Sequence, residues 1–131
     1  MPFAMRLPVL TDASAFRALA VHYADAKEWQ MRALFSQQPD RFERCSLEAA
    51  GLFLDYSKNL VNERTMQLLM QLARERGIEQ RRDAMFAGEG INVTEHRPVL
   101  HTALRLPRDS TLLVDGQDVV QEVHAVLDRI K

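Results

Sequence analysis

Residues 86–105 read FAGEGINVTEHRPVLHTALR, and what precedes and follows the paired glycines decides which kind of fold the chain can have. A Rossmann or P-loop unit needs a strand, then glycines, then a helix whose free N–H groups face a phosphate. The preceding run, EQRRDAMFAG, instead reads as a short helix closing at Gly88, with Ile78, Met85 and Phe86 as its anchors. Glu89 also puts a carboxylate where an anion would sit. Gly88-Glu89-Gly90 is therefore a helix stop and connector. After it, HRPVLHTALR reads as a further helix with an apolar stripe at Val99, Leu100, Ala103 and Leu104. Pro98 is comfortable only in a first turn, so that helix starts between residues 94 and 97, with Thr94 and Glu95 as its start chemistry.

Upstream, TDASAFRALAVHYADAKEWQ is an amphipathic helix, with Thr11 or Asp12 as cap and Phe16, Leu19, Ala20 and Tyr23 at helical spacing. A short helix covers residues 31–36, and Pro39 opens another turn or helix to residue 44. Leu47, then Leu52, Phe53, Leu54 and Tyr56, flank a turn at Ala50-Gly51 and predict a β hairpin. Asn62 caps ERTMQLLMQLARER, whose stripe is Leu68, Leu69, Leu72 and Ala73 and whose stop is Gly77. Downstream, TLLVDG predicts one more strand and an Asp115-Gly116 turn. Asp118 and Gln121 form a capping-box pattern before a last helix with its stripe at Val119, Val123, Val126, Leu127 and Ile130. That helix reaches Lys131 without a stop signal, which suggests a fragment.

The chain has 131 residues, 17 basic and 18 acidic, a formal net charge of -1 and 47% hydrophobic residues. This is ordinary globular composition, and one domain is the prior. The charge balance argues against a dedicated nucleic-acid or membrane-surface binder. The single cysteine, Cys45, forms no internal disulfide and reads as structural in a reducing, cytoplasmic setting. MPFAMRLPVL is too short and proline-broken for a signal segment or a membrane span.

The four histidines are His22, His96, His101 and His124, and no pair has the i, i+4 spacing of a zinc helix. Arg97, His101 and Arg105 are spaced by four and would share one helix face. Such a ridge could hold a sugar phosphate or a carboxylate, but pairing with acidic residues elsewhere, or solvation, is the preferred reading. Glu89, Glu95 and Asp55 are available for acid–base work, yet their spacing marks no catalytic pair.

Two blocks carry a specific resemblance. LDYSKN, residues 54–59, and the pattern F-x-G-E-x-I-N-x-T-E-x-R-x-V-L-H-x-A-L-R, residues 86–105, resemble the N-terminal part of the glucose-6-phosphate isomerase (phosphoglucose isomerase) family. PDRFERCSLEAAG and VDGQDVVQEVHAVLDRIK look like the same family's flanking segments, so the likeness covers about residues 30–131. Two departures stand out. Gly90 sits where the family commonly has Lys, and Pro98 where a small residue is usual.

The resemblance implies an aldose–ketose isomerase that interconverts glucose 6-phosphate and fructose 6-phosphate by ring opening and an enediol, without metal or organic cofactor. It implies a cytoplasmic homodimer built from α/β sugar-isomerase (SIS) domains. The catalytic and phosphate-binding residues of the family map onto none of this chain. Residues 1–131 are then expected to be one N-terminal segment, an α-rich α+β piece with a short hairpin and one further strand. It should be inactive alone, with no catalytic, substrate, cofactor or metal residue. The alternative is a stand-alone helical interaction module that keeps the scaffold.

Overall fold

The computed structural model describes residues 9–130. Most of the N-terminal stretch read as neither leader nor span, residues 1–8, and the terminal Lys131 lie outside the described residues. Residues 9–75 and 76–130 form two compact units.

The first unit runs from a 3-10 turn (Leu10–Asp12) through α1 (Ser14–Ala26), α2 (Met31–Gln37) and α3 (Arg41–Arg44). It continues into β1 (Ser46–Ala49), β2 (Leu52–Asp55) and α4 (Glu63–Glu75). α1 packs against α4. The face that α1 turns inward is set by small residues: Ala15 and Ala26 are buried, and Leu19 and His22 are half-buried. Alanines let two helix axes approach closely, so the packed face rotates away from part of the expected stripe. Ala20 and Tyr23 are exposed. On α4 the inner residues are Thr65 and Leu68, with Leu72 and Ala73 half-buried, while Leu69 lies outward.

Both ends of this helix pair depend on side chains standing in for missing backbone partners. At the start of α4, the Thr65 N–H donates to Asn62 Oδ1 at 2.9 Å and the Asn62 N–H donates to Thr65 Oγ1 at 3.1 Å. This is the expected Asn62 cap, made reciprocal by a threonine. The Thr65 hydroxyl also donates to Asn62 Oδ1 at 2.9 Å, which commits its one proton. His22 Nε2 shares a hydrogen bond with Thr65 Oγ1 at 2.7 Å. The His22 ring meets Trp29 edge-on at 5.4 Å.

The start of α1 corrects the sequence reading. Neither Thr11 nor Asp12 caps it; the residue before the helix is Ala13, reached through the 3-10 turn. Glu75, at the end of α4, supplies the acceptor instead. Its carboxylate takes Ser14 Oγ–H at 2.5 Å and the Ala15 N–H at 3.0 Å, and Gln71 Nε2–H donates to it at 2.9 Å. A carboxylate here also faces the positive end of the α1 dipole.

The hairpin forms as read. β1 and β2 pair antiparallel in the register Ser46–Asp55, Leu47–Leu54, Glu48–Phe53 and Ala49–Leu52. The turn places Ala50 at φ +52° and Gly51 at φ +73°, the doubly positive pattern whose twist matches a two-residue hairpin.

The second unit contains α5 (Ile78–Phe86), a 3-10 turn (Ala103–Arg105), β3 (Leu113–Val114), β4 (Gln117–Asp118) and α6 (Val119–Ile130). Gly77, at φ +63°, stands between α4 and α5, the left-handed stop expected there. The core is Ala103, Leu112, Val119 and Val120, joined by Leu100, Leu106, Val114 and Val123. The predicted strand has a partner: β3 and β4 form a second small hairpin through Asp115-Gly116. Two-residue strands are too short to show alternation, so β4 left no signal. Asp118 caps α6 by accepting from the Val120 N–H at 3.1 Å, but the capping box is not closed. The Gln121 amide donates instead to the Arg108 carbonyl at 3.1 Å. Several expected anchors are exposed: Ile78, Phe86, Val126 and Ile130. In α5 it is Ala84 that is buried.

The Ser14 hydroxyl, then the Ala15 N–H and the Gln71 amide, hold the Glu75 carboxyl below the usual carboxylate range. A depressed folded pKa contributes stability that is complete above the unfolded value and fades as pH falls through the folded one. Denaturant midpoints should therefore drop as pH is lowered from the ordinary glutamate range, and Glu75→Gln should flatten that dependence. Equal pH slopes for the two proteins would refute the assignment.

Candidate functional site

The segment that opened the sequence reading builds a cleft. Gly88 ends α5 at φ +72°, with its N–H on the Met85 carbonyl at 3.2 Å and the Glu89 N–H on the Ala84 carbonyl at 2.9 Å. It is a helix stop, as expected. A Cβ there would stand 3.0 Å from Val114 Cγ2 and 3.4 Å from Leu112 Cδ1, so the glycine also lets the β3–β4 hairpin approach.

Next comes a tight loop rather than a helix start. Asn92 Oδ1 accepts from the Thr94 N–H (3.3 Å), the Thr94 hydroxyl (2.8 Å) and the Glu95 N–H (3.1 Å). The backbones of Asn92 and Arg97 bond to each other at 3.1 and 3.3 Å, and His96 crosses to φ +54°. These bonds consume the N–H groups a helix would have used, and Pro98 offers none. The helix expected to start between residues 94 and 97 and run to residue 105 is reduced to the turn Ala103–Arg105, with Ala103 buried and Leu104 exposed.

Ala87, Gly88, Glu89, Gly90, Val93, His96, Pro98 and residues 113–115 enclose a cleft of about 720 Å³. Its ionisable groups are Glu89, His96 and Asp115. Among the described residues no hydrogen bond joins these three side chains, and acid–base catalysis needs a group held by a second one. A Cβ added at Gly90 would meet nothing within 4 Å, so the absence of a side chain there is no steric requirement.

The basic ridge of Arg97, His101 and Arg105 is not assembled, because the helix that would align it is absent. Arg97 turns back on Glu95, with Nε at 2.6 Å from Oε2. Arg105 Nη1 donates to the His101 carbonyl at 3.0 Å, and the His101 side chain is exposed. Elsewhere, His124 Nε2 lies 3.2 Å from the Leu106 carbonyl, and Cys45 is half-buried. Asp55 accepts the Ser57 N–H at 2.8 Å, and hydrogen bonding to Ser57 holds its carboxyl below the usual range.

Sequence reading missed the most constrained ionisable group, Arg41. It is 0% exposed and opens α3. Its Nε donates to the Ser57 carbonyl at 2.7 Å, and Nη2 donates to the carbonyls of Asn59 (2.7 Å) and Val61 (2.9 Å). Nη1 donates to Gln38 Oε1 at 3.0 Å, and the guanidinium lies 5.8 Å from the Phe35 ring centre. Three carbonyl dipoles, one amide and an aromatic face solvate the charge. No local pattern announces this, since its carbonyl partners lie 16 to 20 residues downstream. They fall in the LDYSKN block and just beyond it.

Residues 55–131, more than half of the chain, match the family of phosphoglucose isomerases. The chain belongs to that family. A glucose-6-phosphate isomerase of Deinococcus radiodurans is 55% identical over 121 residues, covering 92% of this chain and 22% of that protein. One from Roseiflexus castenholzii is 54% identical over 124 residues, 95% of this chain and 23% of the relative. One from Gloeobacter violaceus is 54% identical over 121 residues, with 92% and 22% covered. The chain thus spans about a fifth of the length of the curated isomerases it matches.

Two substitutions test the framework of this family segment. Arg41→Ala leaves the Ser57 and Val61 carbonyls without a donor and should cost roughly 3 kcal/mol or more in urea unfolding, with Arg41→Lys recovering only part. Gly88→Ala puts a Cβ at positive φ against the hairpin and should cost about 1–3 kcal/mol, read as a lowered thermal midpoint.

Proposed function

We propose that this chain is the N-terminal part of a glucose-6-phosphate isomerase and acts there as scaffold rather than as chemistry. The observation that carries the reading is 54–55% identity to glucose-6-phosphate isomerases across nearly the whole chain. In the assembled enzyme, glucose 6-phosphate and fructose 6-phosphate interconvert by ring opening and proton transfer between C2 and C1 through an enediol. No metal or organic cofactor enters that reaction. The working form is a cytoplasmic homodimer acting on a sugar phosphate. Among the described residues no helix is long and apolar enough to cross a membrane.

Residues 1–131 supply neither the carboxylate base nor the phosphate ligands. The local pairing of Arg97 with Glu95 and of Arg105 with the His101 carbonyl supports this, because arginines serving a phosphate must keep their donors available to it. The stand-alone module reading gains no observation of its own.

In a coupled assay the isolated chain should show no turnover above the protein-free blank. Co-expressed with the Deinococcus radiodurans isomerase lacking its matching segment, it should restore isomerase activity. Turnover by the chain alone would move the chemistry into residues 1–131. Failure of the pair to turn over would reject the scaffold reading.

A further inference from the structure

We propose that one face of the β1–β2 ribbon, formed by Leu47, Ala49, Leu52 and Leu54, is the docking surface for the remaining isomerase polypeptide. This rests on the function proposed above. The register puts Leu47 opposite Leu54 and Ala49 opposite Leu52, so alternation brings all four onto one side. Leu47 is 48% exposed, Leu52 73% and Leu54 52%, and Ala49 is exposed as well. The hairpin's polar residues, Ser46, Glu48 and Asp55, lie on the other side with Phe53, which leans on Phe42 at 6.1 Å.

An isolated two-stranded ribbon is marginal in water, so something must hold this one. The Tyr56 N–H donates to the Cys45 carbonyl at 2.8 Å, and the Tyr56 hydroxyl donates to the Arg44 carbonyl at 3.3 Å. Beyond Tyr56, Arg41 ties down the carbonyls of Ser57, Asn59 and Val61. The apolar face is thus presented in a fixed shape, which lowers the ordering cost of binding.

Its chemistry selects the occupant. Four aliphatic side chains with no charge suit an apolar protein surface and offer nothing to a polyanion. A second copy is a poor occupant, since four side chains fall short of the roughly 800 Å² per partner of a standard interface. The matched relatives are more than four times longer than the portion this chain covers, 22% of each. That remaining polypeptide is the occupant with enough surface to bury this face alongside others.

The test uses the full chain co-expressed with the Deinococcus radiodurans isomerase lacking its matching segment. The wild-type chain should co-purify with it. Leu52→Glu with Leu54→Glu should weaken co-purification at least tenfold, and Glu48→Gln, on the opposite face, should not. Hydroxyl-radical footprinting of the unmodified chain covers the case where the double variant misfolds: Leu47, Leu52 and Leu54 should become protected in the complex. Association with these leucines still reactive, or insensitive to the double variant, overturns the docking face while leaving the scaffold reading intact. Absence of association and of restored turnover overturns both. A dimer of the chain alone, abolished by the double variant, would assign the face to a second copy and overturn the proposal.

Discussion

The guanidinium of Arg41 is the constraint on which much of the first unit depends. A buried cation without a carboxylate is costly unless its donors are met, and here carbonyls 57, 59 and 61 and the Gln38 amide meet them. The same bonds satisfy carbonyls in a segment too irregular to pair as strand or helix. They fix where β2 ends and deliver Asn62 to the start of α4. Asn62 caps α4, and α4 carries Glu75 at its other end to the start of α1. One arginine, one asparagine and one glutamate thus link α3, the hairpin exit, α4 and α1 in series.

The parts of the fold that were legible in the sequence are those whose physics is local. Asn62 sits three residues before the N–H it accepts, Gly77 supplies a left-handed stop, and Ala50-Gly51 closes a hairpin with its own dihedrals. The illegible parts depend on distance along the chain. Glu75 replaces a cap from 60 residues away, and nothing near Thr11 or Asp12 signals that they stand idle. Between residues 92 and 105 two local rules competed. Apolar spacing favoured a helix, while Asn92 and Pro98 removed donors a first turn needs, and the donors decided. The basic ridge failed with the helix that was to carry it.

The family segment also illustrates how a strong motif can mark structure instead of reaction. In residues 86–105, Gly88 is fixed by a left-handed stop and a close hairpin, and Asn92 by three donors at one oxygen. Arg97 is engaged by a neighbouring carboxylate. These roles are met by neighbouring groups of the same unit, the β3–β4 hairpin among them, so the pattern needs no ligand to explain these residue types. The same holds for Arg108, which grips Asp128 with both terminal nitrogens at 2.9 and 2.6 Å, and whose pKa is raised by that partner. Cations satisfied in this way stabilise a scaffold, while a phosphate site keeps its donors open until the anion arrives. In the first unit, one face of the β1–β2 ribbon is apolar and uncovered, at Leu47, Leu52 and Leu54. Unmet hydrophobic surface of this kind calls for a protein neighbour.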